Sequence, residues 1–131
     1  MSKPAYLRSD NSNCKAIRQL LSTIGGKWSV VVIETLEERP KRFSELKRDV
    51  GEITQKSLTA VLRELEREGI VERKVTPVIP PRVDYALTPL GASLSKSLDV
   101  LIKWAIENET TVREARLRFG RTTGDGDLDI S

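Results

Sequence analysis

The chain has 131 residues and a mass of 14.7 kDa, enough for one compact domain whose core needs neither disulfide nor metal. It contains no histidine and a single cysteine, which excludes His-based triads, His-metal sites, internal disulfides and paired-thiol metal motifs. The formal net charge is +3. Setting aside the last eleven residues, which hold three Asp and one Arg, leaves 21 basic against 16 acidic residues, or +5 for residues 1–120. That excess suits a polyanionic partner without proving one. No apolar run is long enough for a signal peptide or a membrane span, so the expected setting is cytoplasmic, with no membrane partner.

The opening MSKPAYLRSDNSN is polar and reads as an arm over residues 1–12. Ser12 or Asn13 is then placed to cap a first helix. Its apolar positions Ile17, Leu20, Leu21 and Ile24 recur every three or four residues, and Gly25-Gly26 ends it. A second helix starts near Lys27. WSVVVIETL is apolar nearly all round, which makes this helix central to the core, and Pro40 stops it. Trp28 reads as a core anchor.

Ser44 is placed to cap a short third helix marked by Phe43, Leu46 and Val50, ending at Gly51. After a tight connection Thr54 caps a fourth helix, whose Leu58, Val61, Leu62 and Leu65 lie at i, i+3, i+4 and i+7 up to the stop at Gly69. The period then changes. Val71, Arg73 and Val75 alternate with Glu72 and Lys74, and Val83, Tyr85 and Leu87 alternate again after TPVIPPR, which predicts a two-stranded hairpin with a long loop. Thr88 followed by Pro89 caps a long helix from Leu90 to about Glu107, with Leu90, Leu94, Leu98, Leu101 and Ala105 on one face. Val100, Ile102, Trp104 and Ile106 widen its apolar arc beyond what one small domain buries, so a homodimer seam is expected there. The anticipated organisation is an arm over 1–12, a domain with its dimerisation helix over 13–107, a helical extension over 108–120, and a disordered acidic tail over 121–131.

This order of elements predicts a mainly α fold with a small β-hairpin, an α+β winged helix-turn-helix. On the fourth helix, a step of about 100° per residue turns Lys56, Thr59, Ala60, Arg63 and Arg67 away from the leucine stripe, with Gln55 and Ser57 beside them. A helix fits the DNA major groove, where Gln pairs with adenine, Lys with guanine and hydroxyls with several base edges, while Arg63 reaches phosphate. Arg73, Lys74 and Arg82 surround a proline-stiffened hairpin tip suited to the backbone or the minor groove. An exposed face of this composition on an amphipathic helix is ordinarily just solvated. The ordering of elements is what weighs against that reading.

Three separated stretches, IGGKWSVVVIETL, RFSELKRDVGEITQKSLTAVLRELEREGIVER and PPRVDYALTPLGASL, resemble the HxlR-type winged-helix transcription regulators, a branch of the MarR-like superfamily. The resemblance covers about residues 14–107. It implies a homodimeric DNA-binding repressor or activator, dimerised through its first and last helices, with Gln55, Lys56, Ser57 and Thr59 on the reading helix and the wing around Arg82. With Ser44, Thr54, Arg63 and Lys74, these are the expected DNA-binding residues. Cys14 resembles the N-terminal cysteine that answers electrophiles, quinones or oxidants in several such regulators. A thiol in a first helical turn beside Lys15 and Arg18 gains reactivity. Lys15 stands where the family often has proline, and no second cysteine exists to resolve a sulfenic acid. Sensing would then need an adduct, a mixed disulfide with a small thiol, or a bond between two subunits. An inert residue packed at the dimer seam is the opposing reading.

The expectation is therefore a homodimeric, sequence-specific DNA-binding transcription regulator, a repressor responsive through Cys14 to an electrophile or oxidant. Neither enzymatic activity nor any cofactor or metal is expected. Carboxylates such as Glu37-Glu38 and Glu64-Glu66 sit among basic neighbours as surface ion pairs. The alternative is a winged-helix protein-interaction module without sequence-specific DNA binding.

Overall fold

In the computed structural model, residues 12–123 are described, so most of the expected arm and the end of the expected tail lie outside the described residues. The helices are α1 (Ser12–Ile24), α2 (Ser29–Glu38), α3 (Phe43–Val50), α4 (Gln55–Arg67) and α5 (Pro89–Thr123). The strands are β1 (Lys41–Arg42), β2 (Val71–Thr76) and β3 (Arg82–Leu87). The chain divides into two compact units between Lys96 and Ser97.

In the first unit the core is aliphatic and comes from short segments. Val32, Ile33 and Leu36 of α2, Leu46 of α3, Leu58, Leu62 and Leu65 of α4, and Ile70 and Val71 leading into the hairpin are all buried. The leucine spacing read from α4 is therefore its buried face. Trp28 departs from expectation. It is half-buried just before α2, with the Lys27 ammonium 5.6 Å from its ring centre, an amphipathic use of the indole rather than a core anchor.

The sheet has three antiparallel strands in the order β1-β3-β2, where the alternation had indicated two. Lys41 and Arg42 pair with Tyr85 and Asp84 of β3, while β2 pairs from Val71 opposite Leu87 to Thr76 opposite Arg82. A two-residue strand of Lys and Arg carries no apolar alternation, so no periodicity marks it.

Helix ends follow local chemistry. Thr54 Oγ1 accepts the Ser57 amide at 3.0 Å, and Thr88 Oγ1 accepts the Gly91 amide at 3.0 Å, as their cap positions predicted. Ser44 does not cap α3. The helix starts at Phe43 with Arg42 as its N-cap, two residues earlier than a Ser44 cap would place it, because the Glu45 carboxylate accepts the Arg42 amide at 3.0 Å and takes over the capping role. α4 stops at Gly69, whose φ of 77° is open to glycine at little cost.

In the second unit α5 continues as a single helix to Thr123, past the Glu107 boundary read from its apolar stripe. Val100, Leu101, Trp104, Ile106, Leu117 and Phe119 are all exposed on it. No helix among the described residues is long and apolar enough to cross a membrane.

Candidate nucleic-acid interface

Three short pieces position the candidate surface. α3 ends at Gly51, which takes φ 102° and donates its amide to the Lys47 carbonyl at 3.1 Å. The turn that follows is pinned by Ile53, which is buried, and Thr54 then caps α4. With Leu58, Leu62 and Leu65 anchored in the core, the opposite side of α4 must face outward, and Gln55, Lys56, Thr59, Ala60 and Arg63 are all exposed there. They line an open concavity of about 720 Å³ together with Glu64.

The charges on this face are not equivalent. Arg67 is held by Glu64 and, at 3.5 Å, by Glu68. Lys56 and Arg63 have no acidic partner among the described residues. Thr59 donates its hydroxyl proton to the Gln55 carbonyl at 2.9 Å, so toward a partner its oxygen can act only as an acceptor. Ala60 between them keeps the centre of the face low.

The hairpin meets α4 along a second cleft of about 420 Å³, where Thr59, Arg63 and Glu66 stand with Arg73 and Tyr85, cross-strand partners in the β2-β3 register. Arg73, expected with Lys74 and Arg82 around the hairpin tip, is the hairpin cation that converges with Arg63. The alternation of β2 held the signal, because Arg73 and Lys74 must lie on opposite faces of the strand. Lys74 lies 3.6 Å from Glu72 on its own strand, and Arg82 is 2.9 Å from Asp84.

Of the remaining expected residues, Ser44 is exposed in the first turn of α3, Thr54 is exposed with its side chain spent on the cap, and Ser57 is half-buried. Cys14 lies apart from this surface, in the first turn of α1, and is only 4% exposed.

Ion pairs fix the support beneath the surface. The Arg39 guanidinium 3.0 Å from Glu45, aided by the Arg42 amide, lowers the Glu45 carboxyl from 4.5 to about 2. Lys41 holds Asp49 below the usual carboxylate range and is itself raised by it.

Comparison with known proteins matches this arrangement. The model of the HxlR-like helix-turn-helix family matches residues 23–113, more than half of the chain. An HTH-type transcriptional regulator of Halalkalibacterium halodurans is 48% identical over 90 residues, covering 68% of this chain and 80% of the relative. The structure of the redox regulator HypR in its reduced form superposes with a TM-score of 0.70 at 36% identity, over 76% of this chain and 98% of HypR. Diamide-treated YodB from Bacillus subtilis gives 0.64 at 35% identity, over 74% of this chain and 96% of YodB. With the helix-turn-helix and its wing in place, the chain belongs to the HxlR-like family of winged helix-turn-helix transcriptional regulators.

Proposed function

We propose that the protein is a homodimer that binds double-stranded DNA in a sequence-specific way and represses transcription. α4 lies in the major groove, with Gln55, Lys56, Ser57 and Thr59 toward base edges and Arg63 toward phosphate. Thr54 and Ser44 contribute along the backbone, and Lys74 and Arg82, each paired with an acid on its own strand, lie beside it. The observation that carries this reading is the pattern of charge: Lys56, Arg63 and Arg73 lack acidic partners among the described residues and converge from helix and hairpin, whereas Arg67 and Arg82 are already neutralised. Cations left without counter-charges on a surface that two elements share suit a polyanion.

Support for the dimer comes from the second unit, where Val100, Leu101, Trp104 and Ile106 are exposed along α5 up to the Glu107 boundary, beyond which residues 108–120 serve as an extension. Cys14 is the candidate switch, since the similar solved structures include the redox regulator HypR and YodB treated with diamide. Its burial means that an electrophile or oxidant reaches the thiol only when what covers it moves. DNA as the target places the protein in the cytoplasm.

The test is a salt-series titration against the DNA just upstream of the gene, with a random duplex of equal length as control. Tight, selective binding that weakens steeply with salt supports the reading. Equal weak binding to both duplexes at every salt concentration favours the protein-interaction alternative. Repeating the titration with an oxidant on wild type and on Cys14→Ser separates a sensor from a packing residue.

A further inference from the structure

The hairpin tip carries a feature that phosphate contact alone does not explain. Between Thr76 and Arg82 the loop is Pro77-Val78-Ile79-Pro80-Pro81, and Ile79 is 102% exposed while Val78 is 50% exposed. Val75, at the end of the same hairpin, is 57% exposed. Leaving such side chains in water forgoes their burial, which is the largest favourable contribution they could make to folding. Of the cations near the tip, Arg82 is paired with Asp84 and Lys74 with Glu72, while the exposed Arg42 of β1 has no acidic partner among the described residues. Under the tip, Arg42 of β1, Val78, Ile79, Pro81 and Arg82 line a concavity of about 510 Å³, so the apolar point has guanidinium groups at its rim.

Each of these properties fits one kind of occupant. Three prolines in five residues fix φ at their positions, so the tip loses little conformational freedom when it is enclosed. The combination of a narrow apolar point and a cationic rim is complementary to a DNA minor groove, whose edges are anionic and whose floor, between adjacent base pairs, is apolar. An anionic membrane would want a broader apolar area than one isoleucine and a valine.

We infer that Ile79, backed by Val78, is a wedge that enters the minor groove and parts one base step, with Arg42 on a flanking phosphate. The inference rests on the DNA-binding reading above. It adds a source of specificity, because pyrimidine–purine steps unstack more readily than others and are selected without any hydrogen bond to a base.

The experiment uses the full chain and a duplex recovered by it from a random-sequence pool, with the fluorescent adenine analogue aminopurine placed at successive steps. Wild-type protein is expected to brighten one step in each half-site, which reports unstacking. Ile79→Ser is expected to abolish that rise and weaken binding about tenfold, the loss due to an aliphatic side chain no longer buried. Ile79→Leu keeps both. At a fully exposed position neither substitution threatens the fold, which circular dichroism checks. A rise unchanged in Ile79→Ser, or selective wild-type binding that brightens no step, overturns the wedge and leaves DNA binding standing. Failure of the wild type to enrich any sequence overturns both, so the two failures are distinguishable.

Discussion

The Lys41 ammonium lies 2.6 Å from the Asp49 carboxylate, joining β1 to the last turn of α3. Because β1 pairs with β3, this contact ties the sheet of the wing to the helix-turn-helix, and Glu38 at the end of α2 approaches the same ammonium at 3.4 Å. The Lys41 side chain is 5% exposed and that of Asp49 is 31% exposed, so the two partners are not interchangeable. Removing the acid leaves an ammonium in a confined place with one weaker partner. Removing the base leaves a carboxylate that water can reach. Asp49→Asn is therefore expected to destabilise the protein more than Lys41→Met, as urea denaturation would measure. The reverse ranking would show that packing of the lysine stem, rather than charge, governs this contact.

Glu45 makes the acid limit of stability predictable. Its carboxyl falls from 4.5 to about 2, first through the hydrogen bond from Arg39 and then through the Arg42 amide, and Asp49 is lowered in the same direction by Lys41. A group whose pKa is depressed on folding contributes stability that is fully present above its unfolded value and is lost as pH falls through its folded value. Thermal stability should hold above about pH 4.5 and decline progressively toward about pH 2. Glu45→Gln should lower the melting temperature at neutral pH and flatten that decline. A variant that melts like wild type at neutral pH would remove Glu45 from the account.

How much of this was legible depends on what repeats along the chain. Leu58, Leu62 and Leu65 declare the buried face of α4 by spacing alone, and Thr54 and Thr88 declare its start and that of α5 by residue type. Lys41 and Arg42 form a strand that only their neighbour β3 defines, so nothing local marks it. The Ser44 cap failed because Glu45 offers a competing acceptor one residue away. On the candidate surface, spacing found Lys56 and Arg63, but not that Arg67 and Arg82 are neutralised by acids, which depends on the positions of side chains. The role of Gly91 was missed for the same reason, since a close approach leaves no mark in the sequence of either partner.

Gly91 opens α5 directly against the backbone of Ile70. A Cβ at this glycine would lie 2.1 Å from the Ile70 carbonyl oxygen, while Thr88 binds the same stretch through its amide to the Ile70 carbonyl at 3.0 Å and its hydroxyl to the Gly69 carbonyl at 2.6 Å. Backbone cannot rotate away as a side chain does, so Gly91→Ala must part the helix from the strand. A loss of about 2 kcal/mol or more is expected in urea denaturation. Gly51 gives the contrast. Nothing lies within 4 Å of its added Cβ and only its φ of 102° opposes a side chain, so Gly51→Ala should cost about 1–2 kcal/mol. Equal tolerance of alanine at both sites would contradict the close contact at Gly91.

The division of cations between engaged and available side chains gives the sharpest test of how DNA is held. Each phosphate neutralised by a cation that was previously solvated releases counterions, and log affinity then falls with log salt by about 0.9 per contact on duplex DNA. Lys56, Arg63 and Arg73 have no acid to abandon among the described residues, so each Ala substitution should lower the steepness of the salt dependence by about 0.9. Arg67 is the control on the same helix. It is held by Glu64 and Glu68, and releasing it for DNA would leave those carboxylates facing phosphate. Arg67→Ala should therefore leave the slope nearly unchanged. If Arg67→Ala alters the slope as much as Arg63→Ala does, the ion pairs of the free protein open on binding, and free-state geometry does not select the contacts.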